Sequence, residues 1–250
     1  MICAIMQPTY NPWLGYFDLI DRVDCFVYLD NVQLVKRSWQ VRNRIKSPNG
    51  DFFLTIPIKH TAPRDDITIN KALVNGDGWR RDHLKAIEYN YKKSKFFDDI
   101  FPFVSSLIMN EIQILSEFNI NFIEQIKNIL GIETKTIKSS DLSNLNYKKD
   151  DLLAALCKEI GADTYISPQG SSVYIDRDTI GGAFTRENIK LYYHNYDHPK
   201  YNQLFGEFLP YMGVLDLLFN EGVRNSINII RSGRRELIYY LDFSERLKSI

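Results

Sequence analysis

Apolar residues follow two rhythms along this chain. Short continuous runs (Ile2-Cys3-Ala4-Ile5-Met6, Cys25-Phe26-Val27-Tyr28-Leu29, residues 134–137, Thr164-Tyr165-Ile166-Ser167 and residues 189–193) have the length and composition of strands buried in a parallel sheet. Between them, apolar positions recur every three or four residues, which predicts helices over 16–22, 79–91 and 96–130, the last broken near Pro102 and capped at Gly131. Two more helices are predicted over 150–159, ending at Gly161, and over 204–219, with Gly222 near its end. The first thirty residues therefore form a βαβ unit. Its loop, from Pro8 to Gly15, falls at the carboxyl ends of parallel strands, where open α/β sheets bind ligands. Runs at 41–45 and 52–58 flank Ser47-Pro48-Asn49-Gly50, a strong hairpin signal through its Asn-Gly pair. The predicted fold is α/β: a mainly parallel, Rossmann-like sheet with flanking helices, a β-hairpin insertion and a helical C-terminal part. It forms either one continuous body or two lobes, 1–145 and 146–250, packed against each other.

Composition narrows the picture. The chain has 250 residues, enough for a sizeable core, and 31 Lys+Arg balance 31 Asp+Glu. That balance argues against general nucleic-acid binding, and a 44% hydrophobic share argues against disorder. Cys3, Cys25 and Cys157 show no metal-ligand or disulfide spacing. No segment resembles a signal peptide or reaches the roughly 18 apolar residues of a membrane span. A cytoplasmic protein without membrane insertion is expected. Aromatic residues are abundant, with 15 Tyr, 15 Phe and 3 Trp, which allows pockets lined by polar-tipped rings.

Four groups could carry chemistry. The opening segment Gln7-Pro8-x-x-x-Pro12-x-x-Gly15-Tyr16-Phe17 could hold a phosphate at a helix N-terminus. It reads Trp13-Leu14-Gly15-Tyr16 where nucleotidyl-transferring enzymes carry an HxGH-like pair of histidines. In Lys36-Arg37-Ser38-Trp39-Gln40-Val41-Arg42-Asn43-Arg44-Ile45, Arg42 and Arg44 share one strand face, with Arg37, Trp39, Val41 and Asn43 on the other. Arginine forks suit phosphate or carboxylate, and tryptophan can stack a base or sugar; the plain alternative is a solvated edge strand. Among four histidines, His60 follows an apolar strand, His83 shares a helix face with Trp79, and His194 and His198 lie in a loop after a strand. His198 is the favoured base from that loop position. Finally, Asp216 and Asn220 share a face of an apolar helix and need polar partners. No HExxH or Cys/His cluster suggests a metal.

Together the motifs resemble the WbqC-like family of bacterial proteins found in loci for O-antigen and other surface polysaccharides. The resemblance rests on MQPxxxPxxGYF (Met6 to Phe17), Trp39-x-x-Arg42-Asn43-Arg44-Ile45, Leu54-Thr55-x-Pro57-Ile58 and Tyr165-Ile166-Ser167. It continues through His198-Pro199-x-Tyr201-x-Gln203 and Leu215-Asp216-Leu217-Leu218-Phe219-Asn220-x-Gly222, with Gly213 standing where serine would be expected. It implies transfer of glycine or a similar acyl group to an amino sugar, without assigning catalytic residues.

The leading expectation is an N-acyltransferase acting on a nucleotide-linked amino sugar, with ATP or an activated acyl donor supplying the group. Gln7, Tyr10, Gly15, Trp39, Arg42, Asn43, Arg44, His83, Tyr201 and Asn220 are the candidate substrate-binding residues. His198 is the candidate base and Asp216 its orienting carboxylate. The alternatives are a non-catalytic nucleotide-sugar binding module and an adenylate-forming or nucleotidyl transferase.

Overall fold

The computed structural model describes residues 1–35, 37–59, 67–143 and 146–248, the last three as backbone only among residues 246–248. The chain opens with β1 (Ile2–Met6), α1 (Leu14–Asp21) and β2 (Cys25–Tyr28), then the hairpin β3 (Arg42–Ser47) and β4 (Gly50–Thr55). Three helices follow, α2 (Gly78–Tyr91), α3 (Phe97–Ile108) and α4 (Leu115–Ile129), leading into β5 (Lys135–Lys138) and α5 (Lys149–Glu159). Next come β6 (Thr164–Ser167), α6 (Ser172–Ile175), α7 (Gly182–Arg186) and β7 (Lys190–Tyr193). The chain closes with α8 (Val214–Ser232), β8 (Ile238–Tyr239) and α9 (Tyr240–Lys248).

Six strands form one sheet in the order β5-β2-β1-β6-β7-β8, parallel except for β8. Strands β1, β2 and β5 precede residue 146 and β6 to β8 follow it, so one sheet draws on both halves of the chain. The chain winds outward from β1 to β2 and β5, then returns to lay β6 on the other side of β1. That reversal is the place where such sheets open a ligand crevice. The β1–β6 ladder covers only Ile2↔Thr164 and Cys3↔Tyr165, while β1–β2 runs on to Met6↔Tyr28 and β6–β7 to Ser167↔Tyr193, so β1 and β6 part from each other toward their carboxyl ends.

Alternation along the central strands divides the core. Cys3, Ile5, Cys25 and Val27 pack with Leu153, Leu156, Cys157 and Phe184, while Ala4, Phe26 and Tyr28 join the larger cluster with Phe17 and Phe118. The three cysteines are all buried free thiols, with Cys3 Sγ 3.3 Å from Cys157 Sγ. Burial raises the thiol pKa of Cys25; for Cys157 the contact with Cys3 raises it most, then burial.

Three local expectations are corrected. The hairpin forms with Ser47 opposite Gly50, so its turn residues are Pro48-Asn49 rather than Asn49-Gly50, and Gly50 takes the positive φ of 110°. Pro102 lies within α3; the break falls at residues 109–114, where Asn110 bonds the Leu107 carbonyl and accepts from the Ile112 amide. Residues 204–213 are not helical. Phe205 (φ 63°), Gly206 (φ 56°) and Tyr211 (φ 61°) take left-handed conformations there, so α8 starts only at Val214 and extends to Ser232.

Gly222 interrupts α8 with φ 71° and ψ 168°, a region open essentially to glycine alone, and a Cβ there would come within 2.8 Å of the Phe96 ring. We expect Gly222→Ala to lower stability by about 1–3 kcal/mol. Urea unfolding would show a reduced midpoint at an unchanged slope.

Candidate active site at the carboxyl edge of β1

The loop after β1 is held from three directions. Asn43 on β3 donates from Nδ2 to the carbonyls of Tyr10 (3.0 Å) and Asn11 (2.7 Å). Asn119 on α4 donates to the carbonyls of Pro8 (3.1 Å) and Gln40 (2.8 Å). Asn11, buried with φ 44°, accepts the Leu215 amide on Oδ1 at 3.2 Å, and the Val214 amide donates to Pro12 at 2.8 Å, so the loop caps the N-terminus of α8. Gly213 allows this approach, because any Cβ there would overlap the Asn11 amide. The glycine at this position, in place of the expected serine, therefore has a steric cause.

This scaffold encloses a cleft of about 300 Å³ lined by Met6, Thr9, Trp13, Tyr16, Trp39, Asn43, Arg44 and Tyr211. Trp13 is its inner wall. Its ring lies against Gly15, where a Cβ would overlap it, and meets the edges of Tyr196 (5.5 Å) and Tyr211 (5.4 Å). Arg44 donates to the Tyr211 carbonyl (3.0 Å) and reaches Asp51 at 3.4 Å, while its buried Nε has no hydrogen-bond partner among the described residues. Four rings and one guanidinium with donor capacity to spare suit a polar ring-shaped ligand bearing an anion or a carbonyl.

His198 stands one ring behind this wall. It stacks with Trp13 at 6.1 Å and 14° and meets Tyr211 at 5.0 Å. Its Nδ1–H donates to the Pro199 carbonyl at 2.9 Å, which leaves a lone pair on Nε2, buried and unpartnered among the described residues. Burial lowers its pKa below the usual imidazole value, against a smaller upward pull from the Pro199 carbonyl, so the neutral form is favoured.

Asp216 is buried and does not bond His198: it accepts from Tyr91 (2.7 Å), Tyr201 (2.8 Å) and Gln203 (2.8 Å). Burial raises its pKa despite those three donors. Gln203 also holds Leu209 through both its carbonyl and its amide, so Tyr201, Gln203 and Asp216 shape the segment leading to Tyr211. Asn220 bonds back to the Asp216 carbonyl within its own helix. Tyr10 is fully buried and donates to His83 Nδ1 (3.0 Å), while His83 Nε2–H donates to Thr55 (3.1 Å). Those two residues are packed in the core, and Tyr10 has no exposed face on which a ligand could stack. Gln7 accepts from Gln40 at 2.6 Å and, through its carbonyl, from Tyr16 at 3.1 Å. Trp39 sits in the turn before β3 and reaches the arginine face of the hairpin rather than the opposite one. Arg42 lines a neighbouring cleft with Arg37 and Thr55. Lys36 and His60 lie outside the described residues. His194 donates to buried Asp18 at 2.7 Å, and Arg234 joins Asp18 (2.8 Å) to Asp21 (2.6 Å).

Met6, Thr9 and Tyr211 were not singled out as lining residues from the sequence; only the family opening Met6 to Phe17 pointed toward the first two. Among the described residues, no group of three His, Cys, Asp or Glu side chains could hold a metal, and no helix is long and apolar enough to cross a membrane.

The motifs making this cleft fall within a family match that spans residues 7–228, to proteins described as WbqC-like. The chain belongs to the WbqC-like protein family. An uncharacterized Mycobacterium tuberculosis (strain ATCC 25618 / H37Rv) protein, Rv1507c, is 36% identical to this WbqC-like chain over 221 residues, covering 88% of this chain and 93% of its own length. No solved structure matches it.

Burial pushes the His83 pKa down to about 4, opposed by the Thr55 carbonyl and Asp82. The folded pKa lies below the unfolded value, so this histidine's contribution is present above pH 6.5 and is lost as pH falls through 4. That loss amounts to about 3 kcal/mol. Urea midpoints of wild type and His83→Gln should therefore converge between pH 7 and 4.5.

Proposed function

We propose that this WbqC-like protein is an N-acyl or aminoacyl (glycyl) transferase of surface-polysaccharide synthesis, acting on a nucleotide-linked amino sugar. The observation that carries this reading is the ring-walled cleft at the carboxyl edge of β1, backed by an imidazole whose Nε2 lone pair is free. A sugar ring matches stacking against Trp39 and the edges of Trp13 and Tyr211, and Arg44 supplies a charged donor. Amide formation needs an unprotonated amine, an acceptor for the proton it loses and donors for the tetrahedral oxyanion. In this reading the amine nitrogen attacks the acyl carbonyl while His198 Nε2 takes its proton. The tetrahedral intermediate then collapses, and the leaving group of the donor departs with that proton. Arg44 Nε and the Thr9 hydroxyl are the candidate oxyanion donors. The base role requires the Trp13 or Tyr211 ring to shift, since both stand between His198 and the cleft.

That separation supports a second reading, a non-catalytic nucleotide-sugar binding module using the same cleft. Mass spectrometry of amino-sugar nucleotide incubated with protein and either ATP plus glycine, glycyl-tRNA or an acyl-carrier donor distinguishes the two. An acyl mass gain supports transfer; binding by calorimetry without any mass gain supports the module. In the first case His198→Ala should reduce turnover by about 10²–10⁴-fold while leaving sugar binding within a few-fold. Because burial lowers the His198 pKa, the acid limb that His198 adds to the wild-type pH profile should lie below the usual imidazole range, and His198→Ala should remove that limb while leaving the one due to the substrate amine.

A further inference from the structure

Beyond the mouth of the cleft, the β3–β4 hairpin carries an exposed row of rings and cations. Trp39 is 51% exposed and Phe53 38% exposed, yet the two rings stack on each other at 6.2 Å and 24°. Large aromatic side chains are ordinarily drawn inside, and here most are: Tyr10, Tyr16, Tyr28, Phe17 and Phe26 are all at most 2% exposed. Arg42 places its guanidinium carbon 4.6 Å over Phe53, and Arg44 places its own 5.8 Å over Trp39. The register that sets Arg44 opposite Phe53 and Arg42 opposite Thr55 puts Arg42, Arg44 and Phe53 on one face, and Trp39, from the turn before β3, joins them through its contacts with Phe53 and Arg44. Two residues apart on an extended strand, the arginines repeat every ~6.6 Å. Arg42 has no ion pair among the described residues, and the only carboxylate near Arg44 is the half-exposed Asp51 at 3.4 Å. Trp39 and Arg44 also line the cleft, so the row begins where the cleft ends.

We propose that this row is a nucleoside-diphosphate subsite: the base lies on the Trp39–Phe53 pair and Arg42 and Arg44 flank the diphosphate. A nucleoside diphosphate combines one flat π-face with two adjacent anionic groups, matching both parts of the row. The inference rests on the transferase reading for the identity of the sugar in the cleft. It does not depend on any chemistry being performed there. It adds Phe53 to the residues that recognise the acceptor and assigns Arg42 to the nucleotide rather than the sugar.

The test uses the whole chain, titrated with UDP, inorganic pyrophosphate and free glucosamine, and followed by tryptophan fluorescence and calorimetry. UDP should bind with quenching of Trp39, more tightly than pyrophosphate. Phe53→Ala and Arg42→Gln should each weaken UDP about tenfold or more, Phe53→Trp should restore binding, and glucosamine binding should be unchanged in all three. Both positions are on the hairpin surface; thermal unfolding at the wild-type temperature certifies that each variant is folded. UDP binding that ignores Phe53→Ala and Arg42→Gln overturns the proposal, as does pyrophosphate binding equal to UDP. Glucosamine binding without UDP binding overturns it while sparing the amino-sugar cleft. Failure of both ligands overturns the two readings together.

Discussion

The amide of Asn43 is the connection on which the site depends. Its two donated hydrogen bonds fix the carbonyls of Tyr10 and Asn11, and thereby join the loop after β1 to the first strand of the hairpin. Asn11, held left-handed by that clamp, in turn caps α8. Loop and hairpin are joined across 32 positions and loop and helix across 204, and no single one of them forms a concave surface. A buried amide bonded to two backbone carbonyls is costly to break, because the freed groups have no water to turn to. The cleft is therefore a product of polar backbone recognition in the core, with its aromatic lining added on top.

Electrostatics work differently on the two sides of this junction. Toward α1 and the end of α8, buried Asp18 is surrounded by His194, Arg234 and Arg22, and Asp21 by Arg231 and Arg234. These pairs close on themselves and tie the C-terminal helical region to the first helix. On the hairpin, by contrast, arginines rest on rings with little carboxylate nearby. A zero net charge thus combines neutralised pairs in one region with under-compensated cations in another, and only the second kind is available to an anionic ligand.

The five parallel strands and the hairpin were legible because continuous apolar runs and a Pro-Asn-Gly turn are local signals, whereas the two-residue antiparallel strand β8 is too short to leave one. The cationic segment around Trp39 was legible for the same reason. Residues 204–213 were not: Leu204 and Phe208 fit a helical period, but Phe205, Gly206 and Tyr211 adopt left-handed backbone angles that the period cannot reveal. That misreading concealed Tyr211 as a cleft residue. Tyr10 and His83 were read as ligand contacts because their chemistry permits it; only packing shows that they satisfy each other. Asp216 likewise has the right type for an orienting carboxylate, but its oxygens are taken by Tyr91, Tyr201 and Gln203, partners 125, 15 and 13 positions away along the chain that no spacing rule connects.

The thiol cluster beneath the sheet has a practical side. All three native cysteines are buried, and the pKa values of Cys25 and Cys157 are raised, so these thiols are poorly placed to form the thiolate that electrophilic dyes attack. A cysteine introduced at an open surface position, such as Val173→Cys on α6 where the native side chain is 81% exposed, would react far ahead of them. The wild-type sequence is in effect a cysteine-light background, ready for a single fluorophore or spin label without removal of its own sulfhydryls.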